Sequence, residues 1–385
     1  MRFRISLLPL ILCAACGSAT AIAGDATPPM PLAPTLAAPP TQTLTLTPAA
    51  TSAPPPTPTP VLLPSPTSIP EIHLLFTGDI NPARCVYSIS KAADDMALPY
   101  RPLAAILRGA DITVGSLDAA ISDYNAPTPC IETTRNLLAP SEAAQGLAFA
   151  GFDVITAATN HIKDCGLTRG CVNDSMLDTI ANLRSVGIHP TGAGNNLAEA
   201  TAPVILTVQG VRFAFLGFSA INSPIWATET EPGVGPLEKE VVADAIQRAK
   251  EQADVVIVLP HWGREYVSNI SWEQFKAAQE IVDAGANLVV GNNPHHVQGV
   301  ETFPNGAVVA YALGNFVFDQ EWSDGTQYTI QGMMLKATFR GPQLQGIELI
   351  PIHIYDNFQP QLAPPEEAAE ILKQVADSLA KMPGR

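Results

Sequence analysis

Polar residues of a few types recur at matching places in this sequence, each directly after an apolar run. Thr77-Gly78-Asp79-Ile80-Asn81 ends one run, Gly115-Ser116-Leu117-Asp118 a second, and Thr159-Asn160-His161, with Asp164 just beyond, follows a third. Pro260-His261-Trp262-Gly263-Arg264-Glu265-Tyr266 follows a fourth, Gly291-Asn292-Asn293-Pro294-His295-His296 a fifth, and Gly314-Asn315-Phe316 a later one. Four of the seven histidines fall in these segments: His161, His261, His295 and His296. Asp, Asn and His together form a ligand set suited to a borderline divalent cation such as Mn, Fe or Zn. Each segment alone has an ordinary reading. Asp79 would cap a helix, Asn160-His161 would be a hydrogen-bonded turn, His261 a packed core histidine, and His295-His296 a solvated loop. Their common placement supports convergence on one polar pocket. Arg84 and Arg264 are the candidates to hold an anionic group beside it.

Such a pocket needs a sheet to build it. Val/Ile-rich runs, apolar on both faces as buried strands are, predict strands over 72–77, 112–115, 153–157, 212–218, 254–260 and 287–291. Helical patterns lie between them at 102–108, 141–150, 173–186, 238–251 and 272–284. This alternation implies a layered α/β fold with a largely parallel centre, whose strand carboxyl ends form the edge where ligands bind. The runs at 307–313, 333–340 and 345–353 read as successive strands, so the last third is expected to add antiparallel pairing. A final helix over 365–381 opens with Glu366 and Glu367, which suit its N-terminus. There is no internal repeat.

The N-terminus reads as an export segment. Arg2 and Arg4 precede an apolar run over 5–15, the length of a signal-peptide core and too short to span a bilayer. Small residues before Cys16 resemble a lipoprotein cleavage site, with Cys16 receiving the lipid; ordinary cleavage near Ala21 to Ala23 is the alternative. Residues 17–70 are expected to form a disordered Pro/Thr/Ser-rich tether, since 15 of the 36 prolines lie within 25–70 and no charge lies between Ala26 and Pro70. The protein would then sit on the outer face of the cytoplasmic membrane, held there through its lipid. The net charge of −15 becomes more acidic once Arg2 and Arg4 leave, which argues against nucleic acid as a partner. Four cysteines remain beyond the leader, Cys85, Cys130, Cys165 and Cys171. Three connectivities exist for four cysteines. The local bridge Cys165–Cys171 is the expected one, with Cys85–Cys130 as the other; a zinc site competes but lacks C-x-x-C spacing.

The segments also carry a resemblance. Gly78-Asp79-Ile80, the stretch from Ala110 to Asp118, Gly151-Phe152-Asp153-Val154 through Asn160-His161 and Asp164-Cys165-Gly166, His261 through Tyr266, Gly291 through Glu301, and Tyr311 through Phe318 resemble, in order, the motifs of the CapA family. That family is the capsule or poly-γ-glutamate synthesis domain, itself similar to calcineurin-like metallophosphatases. The resemblance implies a four-layer α/β-β-α sandwich over 71–356, followed by a linker and helix over 357–385. It implies metal ligation of one or two ions by Asp79, Asp118, Asn160, His261 and His295, with Asn160 and His161 as the catalytic pair. Asn293, His296 and Asn315, with Arg84 and Arg264, would surround the substrate. The implied partner is an anionic surface polymer or its precursor. The sequence departs from the pattern at four places. Ser116-Leu117-Asp118 stands for Asn-Leu-Glu, Thr159 for the first Asn of Asn-Asn-His, Asn293 for the first His of Gly-x-His-Pro-His, and His296 for an apolar residue. Asn293 replaces an imidazole by a weaker amide oxygen. Three functions follow: a polymer synthesis or export factor, a metal-dependent phosphoesterase, or a binding lipoprotein with a degenerate site.

Overall fold

The computed structural model describes residues 70–131, 135–166, 173–221, 225–320 and 328–382. The expected leader, Cys16 and the tether up to residue 69 lie outside the described residues, as does Cys171.

Two sheets carry the fold. The first has eight strands, in the spatial order Gln359–Leu362, Gln343–Tyr355, Gln331–Arg340, Glu71–Ile80, Ile112–Leu117, Val154–Thr156 and His189–Thr191, with Asn315–Val317 paired to the end of Glu71–Ile80. From Glu71–Ile80 to His189–Thr191 the pairing is parallel, and toward Gln359–Leu362 it is antiparallel. The second sheet has six strands, in the order Val300–Thr302, Val308–Ala310, Leu288–Val290, Val255–His261, Val211–Ser219 and Val204–Val208. Its four central strands are parallel and its outer pairs antiparallel.

The sheets pack face to face through Ile72, Leu74, Phe76, Phe213, Ile257 and Leu288. Leu147, Met176 and Leu183 on helices Ala143–Ala150 and Asp174–Ser185 cover the outer face of the first sheet. Ile246 and Ile281 on helices Lys239–Lys250 and Trp272–Ala284 cover the second. The layer order is therefore helix, sheet, sheet, helix, the four-layer arrangement that the resemblance implied. Helix Trp272–Ala284 begins at a capping box between Ser271 and Gln274, a local signal that fixes its start.

The last third adds antiparallel pairing as expected, at Val300–Thr302 with Val308–Ala310 and at Gln331–Arg340 with Gln343–Tyr355, while Val308–Ala310 also pairs parallel with Leu288–Val290. One expectation needs correction. Residues 357–385 are not a linker and helix alone, because Gln359–Leu362 adds an edge strand before helix Pro365–Ala380. Helix Arg84–Ala92 was not anticipated, since it buries only Arg84, Cys85, Val86 and Ser90 and so carries a thin apolar stripe. Cys85 and Cys130 form a disulfide, with Cα atoms 4.2 Å apart. Cys165 is also disulfide-bonded; the expected bridge to Cys171 lies outside the described residues. No described helix is long and apolar enough to cross a membrane.

Candidate functional site

Alternation along the strands delivers the polar residues to the seam between the sheets. Ile72, Leu74 and Phe76 face the inter-sheet core, whereas Leu75 faces the helices. The pairing with Ile112–Leu117 shifts register between Phe76 and Asp79, and beyond the shift Ile80 packs on the helix side. Asp79 is thereby turned to the inter-sheet side. A side chain at Gly78 would bring its Cβ to 2.0 Å from the Gly314 carbonyl oxygen, so glycine alone lets the Asn315–Val317 strand close against this turn. On the next strand Ile112 and Val114 face the other sheet and Leu117 the helices, which puts Ser116 and Asp118 beside Asp79. In the second sheet Val255, Ile257 and Leu259 face inward and His261 follows in step.

Asp79 is fully buried and accepts hydrogen bonds from Ser116 Oγ at 3.0 Å and from the Asn293 backbone N–H at 3.1 Å. His261 Nε2 lies 2.8 Å from Asn160 Oδ1, and His295 Nδ1 lies 2.9 Å from Asn315 Oδ1. The two imidazoles and two carboxylates form a closed box. His261 Nδ1 is 3.9 Å from Asp79 Oδ1 and its Nε2 is 3.6 Å from Asp118 Oδ1. His295 Nδ1 is 3.6 Å from Asp79 Oδ2 and its Nε2 is 4.0 Å from Asp118 Oδ2. These separations are too long for hydrogen bonds. Both Asp118 oxygens, His261 Nδ1 and Asn293 Oδ1 are buried without a hydrogen-bond partner.

Charge inside the box follows from burial. Burial raises Asp79 well above the usual carboxylate range, and the neighbouring Asp118 adds to the effect. Burial pushes Asp118 up to about 6 against the opposing pull of His161, with Glu265 and Asp164 adding to the rise. Burial drives His261 well below its ordinary value and His295 down to about 3, so both rings are neutral. His161 behaves oppositely. Burial lowers it, but Asp118 and Asp164 outweigh that and push it up to about 9. Its Nδ1 lies 2.6 Å from Asp164 Oδ2, so at neutral pH it is an imidazolium clamped by a carboxylate.

Buried acceptors without partners are rare and costly, and their chemistry here asks for positive charge. Among the described residues no group of three or more His, Cys, Asp or Glu side chains is arranged as a metal site. The donor set nonetheless fits a divalent cation. The imidazoles are in the neutral form that metals require. With His261 Nε2 and His295 Nδ1 turned to amide oxygens, the free nitrogens are His261 Nδ1, 3.9 Å from Asp79, and His295 Nε2, 4.0 Å from Asp118, at the upper end of the roughly 3–4 Å between ligands that each lie ~2.1 Å from one ion.

The fold thus brings Asp79, Asp118, Asn160, His161, His261 and His295 together. Other expected site residues are placed differently. Arg84 is buried and ion-paired with Asp319, so its guanidinium holds the chain rather than a substrate. Arg264 is exposed and makes no ion pair among the described residues. Asn315 is buried and orients His295. Asn293 Nδ2 donates to the Trp262 and Gly263 carbonyls at 3.2 and 2.8 Å. His296 pairs with Ser268 Oγ at 3.1 Å and packs edge-on against Tyr266 and Tyr328, supporting the wall. Two contributors had no assigned role in the sequence reading, Asp319 and Tyr266. Tyr266 stacks on His295 with ring centroids 5.3 Å apart. The role of Asp164 had a local signal in its spacing of three from His161.

Comparison with known proteins adds independent findings. Residues 73–320 match the family described as bacterial capsule synthesis protein PGA_cap. The chain is 31% identical over 285 residues to the PGA biosynthesis protein CapA of Bacillus subtilis (strain 168), covering 73% of this chain and 71% of that protein. It is 30% identical over 251 residues to the capsule biosynthesis protein CapA of Bacillus anthracis, covering 64% of this chain and 58% of that one. Among solved structures, the NAD nucleotidase of Haemophilus influenzae aligns with a TM-score of 0.46 at 14% identity, covering 82% of this chain and 57% of that one. A hypothetical protein from Thermus thermophilus aligns with a TM-score of 0.45 at 15% identity, covering 74% and 100%.

Proposed function

Because the chain belongs to the PGA_cap family of bacterial capsule synthesis proteins, we propose that it is an exported, lipid-anchored factor in making or exporting an anionic surface polymer of the capsule or poly-γ-glutamate type, working through a divalent cation held in the pocket. One observation carries the cation: the buried box whose Asp118 oxygens, His261 Nδ1 and Asn293 Oδ1 have no partner. Asp79, Asp118, His261 and His295 would hold the ion, with Asn160 as an amide ligand. When bound, it would supply Lewis acidity to an anionic oxygen and a water of lowered pKa. It also answers an electrostatic problem. Asp118 and His161 both feel the charges of Asp164 and Glu265, and a pocket this acidic would repel an anionic polymer unless a cation offset it.

The residues' own roles follow from their contacts. Ser116 and the Asn293 amide fix the Asp79 carboxylate. Asn160 orients the His261 ring. His161, kept protonated by Asp118 and Asp164, is placed to give a proton to a leaving oxygen or to stabilise developing negative charge. That dyad favours a second reading, a metal-dependent phosphoesterase acting on envelope substrates. The test is metal content of the purified domain, read beside hydrolysis of generic phosphoesters and binding of poly-γ-glutamate. With hydrolysis, His161→Ala is expected to lower turnover by about 10²–10⁴-fold while leaving metal content unchanged. Polymer binding without any turnover would select the non-hydrolytic role, and absence of metal from a protein refolded with Mn or Zn would remove the cation from both.

The anchor rests on the order of Arg2, Arg4, the apolar run, Ala14-Ala15 and Cys16. Intact mass of the mature protein is expected to show a chain starting at a lipid-modified Cys16. A start after Ala21 or Ala23 would mean ordinary secretion.

A further inference from the structure

We propose that Asn315 is a positioning residue that fixes the tautomer of His295, so that Nδ1 carries the proton and the Nε2 lone pair faces Asp118; its consequence for ion binding rests on the cation reading above. Asn315 is fully buried and its amide cannot be turned over. Nδ2 donates to the Thr329 carbonyl at 2.9 Å, and a carbonyl only accepts. Oδ1 must then be the atom 2.9 Å from His295 Nδ1. An amide oxygen also only accepts, so Nδ1 donates. Among the described residues Nε2 has no hydrogen-bond partner and lies 4.0 Å from an Asp118 oxygen that also has none, so nothing on that side holds a second proton. A lone pair and a carboxylate face each other with no hydrogen between them, an arrangement that favours a cation.

The surroundings hold this orientation. Tyr266 stacks on the ring at 5.3 Å between centroids, and Phe318 meets it at 5.0 Å and 62°. Asn315 is registered against Asp79 in the parallel pairing of their strands, and the Asp79 N–H donates to the Gly314 carbonyl at 2.9 Å. The seam that places the carboxylate therefore also places the amide that orients the imidazole. Without Asn315, the acceptor left near Nδ1 is Asp79 Oδ2, 3.6 Å away and already bonded to the Asn293 N–H, so the proton would move to Nε2 and pair with the unpartnered Asp118, and the box would close on itself.

Long-range ¹H–¹⁵N correlation spectra of the metal-free protein, with His295 assigned through His295→Gln, decide the point. The unaltered protein is expected to show His295 with its proton on Nδ1. Asn315→Asp keeps an acceptor there and is expected to keep that tautomer. Asn315→Leu is expected to move the proton to Nε2 and to weaken Mn or Zn binding, measured by calorimetry, by about 10–100-fold, as outer partners of metal ligands do. An Nε2 proton in the unaltered protein overturns the proposal without any variant needing to fold, and so does an unchanged tautomer in folded Asn315→Leu. If the unaltered protein carries the Nδ1 proton but takes up neither Mn nor Zn, the cation reading fails while the tautomer assignment stands.

Discussion

Replacing Asp319 by alanine is expected to destabilise the domain by about 3–5 kcal/mol, the cost of breaking a buried ion pair from one side. Asp319 is fully buried and Arg84 nearly so. The carboxylate accepts from Arg84 Nε at 3.0 Å, from Asn81 Nδ2 at 3.0 Å and from the Cys85 backbone N–H at 2.9 Å. Alanine would take from the Arg84 guanidinium, the Asn81 amide and the Cys85 N–H the acceptor they share. Arg84 also sits at φ +51°, a conformation that the pair must help hold. Removing both charges together, as in Arg84→Met with Asp319→Leu, is expected to recover most of the loss, because no buried charge remains unpaired. Urea unfolding with the Cys85–Cys130 bridge intact measures both. A loss under about 1 kcal/mol for Asp319→Ala, the range of exposed pairs, would mean that the two charges are not buried together in solution.

That pair marks a limit of reading a sequence. The parallel strands were legible because buried strands are apolar on both faces, as Val255-Val256-Ile257-Val258-Leu259 is. Helix 272–284 was legible because Ser271 and Gln274 state its start. The site was legible as strand-end polar residues, and alternation alone carries Ile112, Val114, Ser116 and Asp118 to one face. Asp79 was harder, since its inward aim depends on a register shift beside Gly78 that only the approach of Gly314 explains. Arg84 reads as an anion holder in the sequence, and its buried partner lies 235 positions away. Sequence shows an arginine after a strand; only packing shows the buried carboxylate that neutralises it. The sequence is equally silent on how Asn315 is held, since its two partners, Thr329 and His295, meet only across the closed seam.

Loss of metal binding is expected for Asp79→Asn and for His261→Ala, and a gain of about tenfold or more, ~1.4 kcal/mol, for Asn293→His. Burial is unfavourable for the Asp79 carboxylate, which is raised by desolvation and by Asp118 beside it. A neutral amide there removes that penalty, so the metal-free Asp79→Asn protein is expected to keep its circular dichroism and thermal midpoint while its calorimetric Mn or Zn isotherm goes flat. Asn293 poses the converse case. Its Nδ2 serves the Trp262 and Gly263 carbonyls, and its Oδ1 is buried and unpartnered, so its free ligand atom is a weak neutral oxygen. An imidazole gives up one of those carbonyl bonds but supplies a nitrogen that borderline cations bind far better. Acid should oppose binding in the unaltered chain and in Asn293→His alike. Asp79, raised well above the usual carboxylate range by burial, and Asp118, pushed up to about 6, must both be unprotonated to bind an ion, so affinity is expected to fall as pH drops toward and below 6. If Asn293→His binds no better than the unaltered chain while Asp79→Asn still abolishes uptake, the box of Asp79, Asp118, His261 and His295 is sufficient for its ion. The departure at Asn293 would then bear on the substrate side of the pocket and not on the metal.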